Sequence, residues 1–384
     1  MYYSFKKINI ESPFPTTQCG HLSQTRELLD YKDHLFARVI GFKDDENWLI
    51  HISVDVLAID REFRLQLQNT VREKLNNKNI NLITSATHTH YANSVENKKY
   101  TDYLMEILVE GIVSMQYQDV GKVLCTYTNM HTNAVGKSRI SGYESNLEYL
   151  SLITFYKNET VPFLRIVINN CHPTILHADV PFFSAEYPGY VLKLMEQEDK
   201  NCDNSFIMGA SGDISSRFVR NGQAYEHMVE LAERLFNEVK VLAARNLPKH
   251  PLKLECNEVE VDLDHQFNPI DLTNIRANLT TRELETIKHG QIMRQKLEQT
   301  KKIIKKANLS SWNLGAVKIV FFPNEIFSAY MSPLDLSKTM LVSYSNGYGP
   351  YVLPIDFPYL TYEMFTDTLT VQTKEKLIEI IKTI

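Results

Sequence analysis

The chain has 384 residues, 43% of them hydrophobic and 23% charged, a balance that excludes a disordered chain, a collagen-like repeat and a disulfide-stapled miniprotein. Its 41 basic and 46 acidic residues leave a formal net charge of −5, so no overall electrostatic bias draws it to nucleic acid or to an anionic membrane. Five scattered cysteines (Cys19, Cys125, Cys171, Cys202, Cys256), with no C-x-x-C among them, argue against a secreted disulfide framework and against a thiolate zinc site.

The first residues, MYYSFKKINIESPFP, have neither the apolar core nor the cleavage site of a signal peptide. No apolar run in the chain is long enough to span a bilayer. The expectation is a soluble cytoplasmic protein with no transmembrane segment and no nucleic-acid partner. LFARVIGF (35–42) and WLIHISVDVLAI (48–59) are rich in β-branched and aromatic residues and flank the polar turn KDDEN, which predicts a hairpin. Residues 60–76 show helical spacing through Phe63, Leu67, Val71 and Leu75. NINLITSAT (79–87) reads as a buried strand and TDYLMEILVEGIVSMQ (101–116) as a helix. Strands follow at 122–130, 149–157 and 163–170, then a short apolar strand, SFIMGA (205–210), that ends in small residues.

Residues 224–245 form a long amphipathic helix, apolar at Met228, Leu231, Leu235, Val239 and Leu242. Residues 251–265 alternate as a half-buried strand should. Residues 279–307 read as one charged helix whose basic end (Lys301, Lys302, Lys305, Lys306) suits a helix C-terminus. AVKIVFF (316–322) and MLVSYS (340–345) complete the strands, and KEKLIEIIKTI (374–384) closes as a helix. Strands and helices alternate without a linker or repeat. The prediction is one large α/β domain over 1–384, a mixed β-sheet layered with helices, with 250–315 as a peripheral subregion.

The chemistry-bearing residues cluster where predicted strands end, as open α/β sheets require. In THTH (87–90), extended backbone puts His88 and His90 on one side with Cα atoms about 6–7 Å apart. That suits a metal ligand with a neighbour, or simply two hydrogen-bonded histidines. His172 follows the strand 163–170 and is fixed by Pro173; His177 is a rival ligand nearby. GASGDISSR (209–217) combines small residues, able to admit a substrate to the backbone, with Asp213 and Ser215 two apart. Glu325 stands among apolar residues in FPNEIF, where a carboxylate needs a partner or a metal. NGYGPY (346–351) presents Tyr348 and Tyr351 from a glycine-rich turn.

In this order the segments resemble the neutral/alkaline (non-lysosomal) ceramidase family: THTH at 87–90, HPT at 172–174 with SAEYPGY at 184–190, GDIS at 212–215, FPNEIF at 322–327 and NGYGPY at 346–351. The matches run from about residue 8 to 365 of the chain. The resemblance implies zinc ligands at His88, His172, Glu325 and Tyr351. It also implies a serine nucleophile at Ser215 with Asp213 as its partner, and an arginine at Arg139 in GKSR. His90 is placed to orient a ligand or shuttle a proton. Two imidazoles, a carboxylate and a phenolate are an N/O set suited to Zn²⁺. The sequence departs from the family at Tyr91, Ser216 and Asn324, around the substrate mouth more than at the metal. The function this implies is zinc-dependent hydrolysis of an amide bond, an N-acyl linkage in a small or lipid-like substrate. The alternatives are an esterase or peptidase-like hydrolase, and a non-catalytic ligand-binding protein on the same scaffold.

Overall fold

The computed structural model describes the chain except residues 22–25, 46, 141, 144–147, 268, 271, 273–278 and 301–302. Its frame is two five-stranded sheets and one four-stranded sheet. In the first, Tyr2–Asn9 and Phe36–Lys43 are antiparallel, Trp48–Val54 completes the expected hairpin, and Ile80–Ala86 lies parallel to it at the edge. In the second, Val123–His131, Tyr149–Lys157 and Val161–Asn169 form an antiparallel meander, and Asp203–Met208 adds a parallel edge strand. The third runs Glu255–Asp262, Lys306–Asn313, Lys318–Phe321 and Thr339–Val342, the last pair parallel.

Side chains alternate across a strand, and both large sheets use this to enter two cores. Val39, Ile50, Ile52, Leu152 and Val167 face one core, with helix residues Leu67 of Arg61–Lys74, Leu104 of Lys98–Val113, Val191 of Glu186–Glu198 and Leu235 of Tyr225–Ala243. Ile40, Phe42, Leu49, Ile153 and Ile166 face the other, with Trp312 and Val320 of the third sheet and Leu377 of the helix Val371–Thr383. The two large sheets are joined through the segment after Thr339–Val342. Ala86 N–H donates to Tyr344 O at 3.0 Å, and Ser343 N–H donates to Met208 O at 2.9 Å.

Two expectations shift. The charged helix spans Thr281–Thr300 and does not reach 307; Lys306–Asn313 is instead a strand, with Ala307 and Leu309 buried against the sheet. Lys306 is therefore not a helix-end charge but a strand residue ion-paired with Glu260, while Lys301 and Lys302 lie outside the described residues. Strand propensity there is modest, and pairing with both Glu255–Asp262 and Lys318–Phe321 decides the conformation. The stretch 250–315 thus supplies two strands of the third sheet. Glu186–Glu198, not marked as an element above, is a helix whose Tyr187, Val191, Leu192 and Met195 recur at helical spacing and are buried. Among the described residues no helix is long and apolar enough to cross a membrane.

Candidate functional site

The site forms where parallel strands end. After Ile80–Ala86 the chain stays tied to Trp48–Val54: Thr87 N–H donates to Val54 O at 2.9 Å and His88 N–H to Val56 O at 3.0 Å. Thr87 Oγ1 also donates to Asp55 Oδ1 at 3.2 Å, and Arg38 Nη1 donates to Asp55 Oδ2 at 3.1 Å, all within the core. These bonds hold His88 in a left-handed conformation, φ 62°, which costs a non-glycine residue about 1–2 kcal/mol. The result is a ring whose Nδ1 lies 2.7 Å from Leu57 O. His90 sits against Gly20, where a Cβ would come within 2.4 Å of its Nδ1; glycine is required for that approach.

His172 follows Val161–Asn169. Its N–H donates to Ile214 O at 3.0 Å, which clips it beside the GDIS loop. The turn after it is held by Glu186, whose carboxylate accepts from Ile175 N–H at 2.6 Å, Leu176 N–H at 2.9 Å and Tyr187 N–H at 3.0 Å.

Three imidazole nitrogens converge. His88 Nε2 and His172 Nε2 are 3.1 Å apart, and His90 Nε2 is 3.3 Å from each. Glu325 Oε2 lies 3.8 Å from both His88 Nε2 and His172 Nε2. Burial drives all three imidazoles toward neutrality; His88 is lowered to about 3, and His90 and His172 fall well below the ordinary value, with neighbouring histidines adding to the effect. His88 Nδ1 faces a carbonyl, so that nitrogen carries the proton and Nε2 presents a lone pair.

Lone pairs aimed at one another this closely repel unless a cation lies between them. A tetrahedral zinc with Zn–N near 2.0–2.1 Å has donor–donor edges of about 3.3–3.4 Å, close to the spacing of this triad. The residues present fit a divalent metal with N/O preference, and among the described residues buried His88 and His172 with partly buried His90 form a group of ligand-type atoms able to hold it.

Glu325 is reached by three tyrosines. Tyr348 OH donates to Oε1 at 2.7 Å, Tyr344 OH donates to Oε2 at 3.4 Å, and Tyr351 also hydrogen-bonds the carboxylate. Burial raises the carboxyl above its usual range, while Tyr351, Tyr348 and the Arg139 charge pull it back. The Arg139 guanidinium sits over the Tyr351 ring, 5.2 Å from its centroid. Arg139 Nη2 donates to Gly212 O at 2.8 Å and pairs with Glu363 at 2.8 Å. Burial alone would lower Arg139, but Tyr351 and Glu363 outweigh it and keep the guanidinium charged.

These groups open on a pocket of about 960 Å³ whose wall includes His90, His172, Ser215, Arg139, Glu325 and Tyr351. Ser215 is placed by a backbone bridge to His172, and its Oγ accepts from Arg217 N–H at 3.4 Å. The Asp213 carboxylate is anchored to Ser328. Its Oδ1 accepts from Ser328 N–H at 2.6 Å and Oδ2 from Ser328 Oγ at 2.9 Å. Gly212 N–H donates to Ile326 O at 2.9 Å, and a Cβ on Gly212 would come within 2.8 Å of Glu325 O. Asp213 and Gly212 thus fasten the serine loop to the segment carrying Glu325. The rival histidine, His177, is also on the pocket wall, outside the nitrogen triad.

Two residues went unmarked in the sequence. Tyr344 stacks on His88 at 3.7 Å with the planes 9° apart, and its OH lies 2.7 Å from Ser211 Oγ. His21 lies tilted against His90, with the ring centroids 4.9 Å apart. Tyr344 ends an apolar strand and reads there as core; His21 lies far from every motif in sequence, so neither carried a local signal.

Fold and site together define a layered α/β protein with a metal-fitting histidine cluster beside a large pocket. Its architecture is that of the neutral ceramidases. The crystal structure of neutral ceramidase from Pseudomonas aeruginosa superposes with a TM-score of 0.76, covering 99% of this chain and 73% of that chain at 14% identity. A ceramidase solved in complex with C2 superposes with the same TM-score, covering 99% of this chain and 74% of that one at 13% identity. No family model matches the sequence, and no curated protein matches it.

Proposed function

We propose that the protein is a metal-dependent amidohydrolase that uses zinc to cleave an N-acyl linkage in a small or lipid-like molecule. The observation that carries this reading is the convergence of His88, His90 and His172 with Glu325 beside a pocket whose wall also bears Ser215 and Arg139. The ceramidase-like fold supports the choice of an amide as the bond. His88, His90, His172 and Glu325 would hold the ion, with Tyr351 beside Glu325. When bound, zinc supplies Lewis acidity to polarise the amide carbonyl.

The chain's own groups do the rest. The buried, neutral imidazoles keep their lone pairs available for the ion without charging the site. Arg139, held by Glu363 and Gly212 O, presents fixed positive charge where the carbonyl oxygen becomes anionic, a contribution typically worth about 10²–10³ in rate. Ser215 offers its hydroxyl to the acyl carbon from the same wall. Asp213 acts as a positioning group for the loop that carries Ser215.

Metal content of the purified protein, measured beside single alanine variants at His88, His172 and Glu325, tests the assignment. The parent should bind about one zinc per chain and each variant markedly less. Full occupancy in all three variants defeats it. An amide panel, assayed with and without chelator, tests the reaction; turnover of esters alone defeats the amidase reading.

A further inference from the structure

Residues 343–346 lie where the three main sheets meet. Ser343 N–H donates to Met208 O of the second sheet at 2.9 Å. Ala86 N–H donates to Tyr344 O at 3.0 Å, and Asn346 N–H donates to Thr84 O at 2.9 Å, both bonds to the first sheet. Ser345 N–H donates to Phe322 O at 3.0 Å, just past the strand Lys318–Phe321 of the third, and Asn346 Nδ2 donates to Ser310 Oγ at 2.8 Å in Lys306–Asn313. A brace of side chains adds to these: Ser345 Oγ lies 2.8 Å from Ser85 Oγ and donates to Ser343 O at 2.9 Å.

These bonds hold Tyr344, fully buried, in the left-handed region at φ 52°. His88 is left-handed too, and the two rings lie face to face, 3.7 Å apart and 9° from parallel. Bulky residues persist in that conformation only where their surroundings over-determine it, and such strain gathers at functional sites. From its stacked position the Tyr344 hydroxyl reaches further. It lies 2.7 Å from Ser211 Oγ, 3.4 Å from Glu325 Oε2 and 3.5 Å from His172 Nδ1, while Ser211 O is 3.4 Å from that same nitrogen. With Ser211 Oγ–H donating to the phenol oxygen, the phenolic proton is left for Oε2, the Glu325 oxygen that faces His88 and His172. Tyr344 thus touches three of the four side chains assigned to the ion.

We infer that Tyr344 is a positioning residue for the metal: its ring sets the plane of His88, and its hydroxyl sets the Glu325 oxygen that faces the histidines. The inference rests on the metal-dependent reading and deepens it. Tyr348 OH already occupies Oε1, so with Tyr344 on Oε2 the carboxylate presents one oxygen to the ion instead of chelating it with both. Because the junction of three sheets fixes the tyrosine, the ligands are set before an ion arrives. Partners that hydrogen-bond a metal-binding side chain typically govern metal affinity by about 10–100-fold.

The test titrates zinc in competition with a chromophoric chelator on the metal-free parent, Tyr344→Phe, Tyr344→Leu and Ser345→Ala, and records the visible spectrum of each with cobalt(II). Tyr344→Phe keeps the stack and removes the hydroxyl. It should weaken zinc binding about tenfold and lower the intensity of the cobalt bands as Glu325 takes the metal with both oxygens. Tyr344→Leu removes both contacts and should weaken zinc binding about a hundredfold. Ser345→Ala loosens the same junction, but its bonds go to Ser85, Ser343 and Phe322. It should lower the urea midpoint of the metal-free protein and leave zinc affinity unchanged. Parental affinity and an unaltered cobalt spectrum in Tyr344→Phe overturn the inference, as do equal losses of affinity in Tyr344→Phe and Ser345→Ala. A parent that binds neither ion overturns the metal site and the inference with it. A graded loss from parent through Tyr344→Phe to Tyr344→Leu upholds the inference whether or not an amide is cleaved.

Discussion

Replacing Asp213 separates a chemical role from a positioning one. Its carboxylate is wholly buried and accepts two hydrogen bonds from Ser328, at 2.6 Å from the backbone N–H and 2.9 Å from Oγ. Hydrogen bonds to a charged acceptor contribute about 1.5–3 kcal/mol each, and a buried N–H left without a partner costs about 1–3 kcal/mol. Asp213→Ala removes both bonds and strands the Ser328 N–H, so it should cost about 3–5 kcal/mol of stability. Asp213→Asn keeps one acceptor, and Ser328 Oγ can turn to accept from the new amide; that variant should lose about 1–2 kcal/mol. Ser328→Ala, which never touches substrate, should lose about the same and should lower zinc affinity in step, because Ser328 directly follows the segment carrying Glu325. Urea denaturation of the metal-free proteins gives the stabilities, and competition with a chromophoric chelator gives the affinities. If Asp213→Ala is within 1 kcal/mol of the parent while Ser328→Ala leaves zinc binding untouched, the fastening role is wrong.

Glu186→Ala should strand the N–H groups of Ile175, Leu176 and Tyr187 and loosen the turn behind His172, costing about 3 kcal/mol or more in a melt and lowering metal affinity; an unchanged affinity would detach that turn from the site. Gly212→Ala should be strongly destabilising, since its Cβ would meet the backbone of Glu325 and Ile326 at 2.8–2.9 Å; a stable, fully metallated variant would contradict the tight seam. Burial pushes the Glu148 carboxyl up to about 8 against an ordinary 4.5, so the native state keeps a proton that the unfolded chain releases. Its contribution is therefore present at low pH and is lost as pH rises from about 4.5 through about 8, with a slope of at most about 1.4 kcal/mol per pH unit. Glu148→Gln should flatten that part of the stability–pH profile, and an identical slope in parent and variant would refute it.

Much of the frame was legible because periodicity is a local property. The hairpin after residue 35, the helix bearing Leu67 and Val71 and the meander from 123 to 169 all show their burial in their spacing. The strand Tyr2–Asn9 was not so read: its pattern is weak, and its conformation comes from full-length pairing with Phe36–Lys43. The break at residue 300 was hidden because helix and strand share one run of charged and small residues.

At the site, His88, His172 and Glu325 were each visible as a polar residue at the end of an apolar strand, and the structure brings them together. His90 was expected beside the ligands; its Nε2 lies 3.3 Å from each of the other two nitrogens, which are themselves 3.1 Å apart. Asp213, two residues from Ser215, was expected as its partner; its carboxylate also reaches across to Ser328, a long-range contact that spacing along the chain does not reveal. Tyr344 escaped notice for the same reason.

Four side chains from three separated segments are proposed to grip one divalent ion. X-ray absorption at the zinc edge on the zinc-loaded protein tests it most directly. The expected spectrum has a low-coordinate N/O shell with no sulfur, metal–ligand distances near 2.0–2.1 Å and imidazole outer-shell scattering that fits three histidines and diminishes in His90→Ala. A hydrated ion without imidazole scattering, or a spectrum unchanged in His88→Ala and His172→Ala, would contradict it.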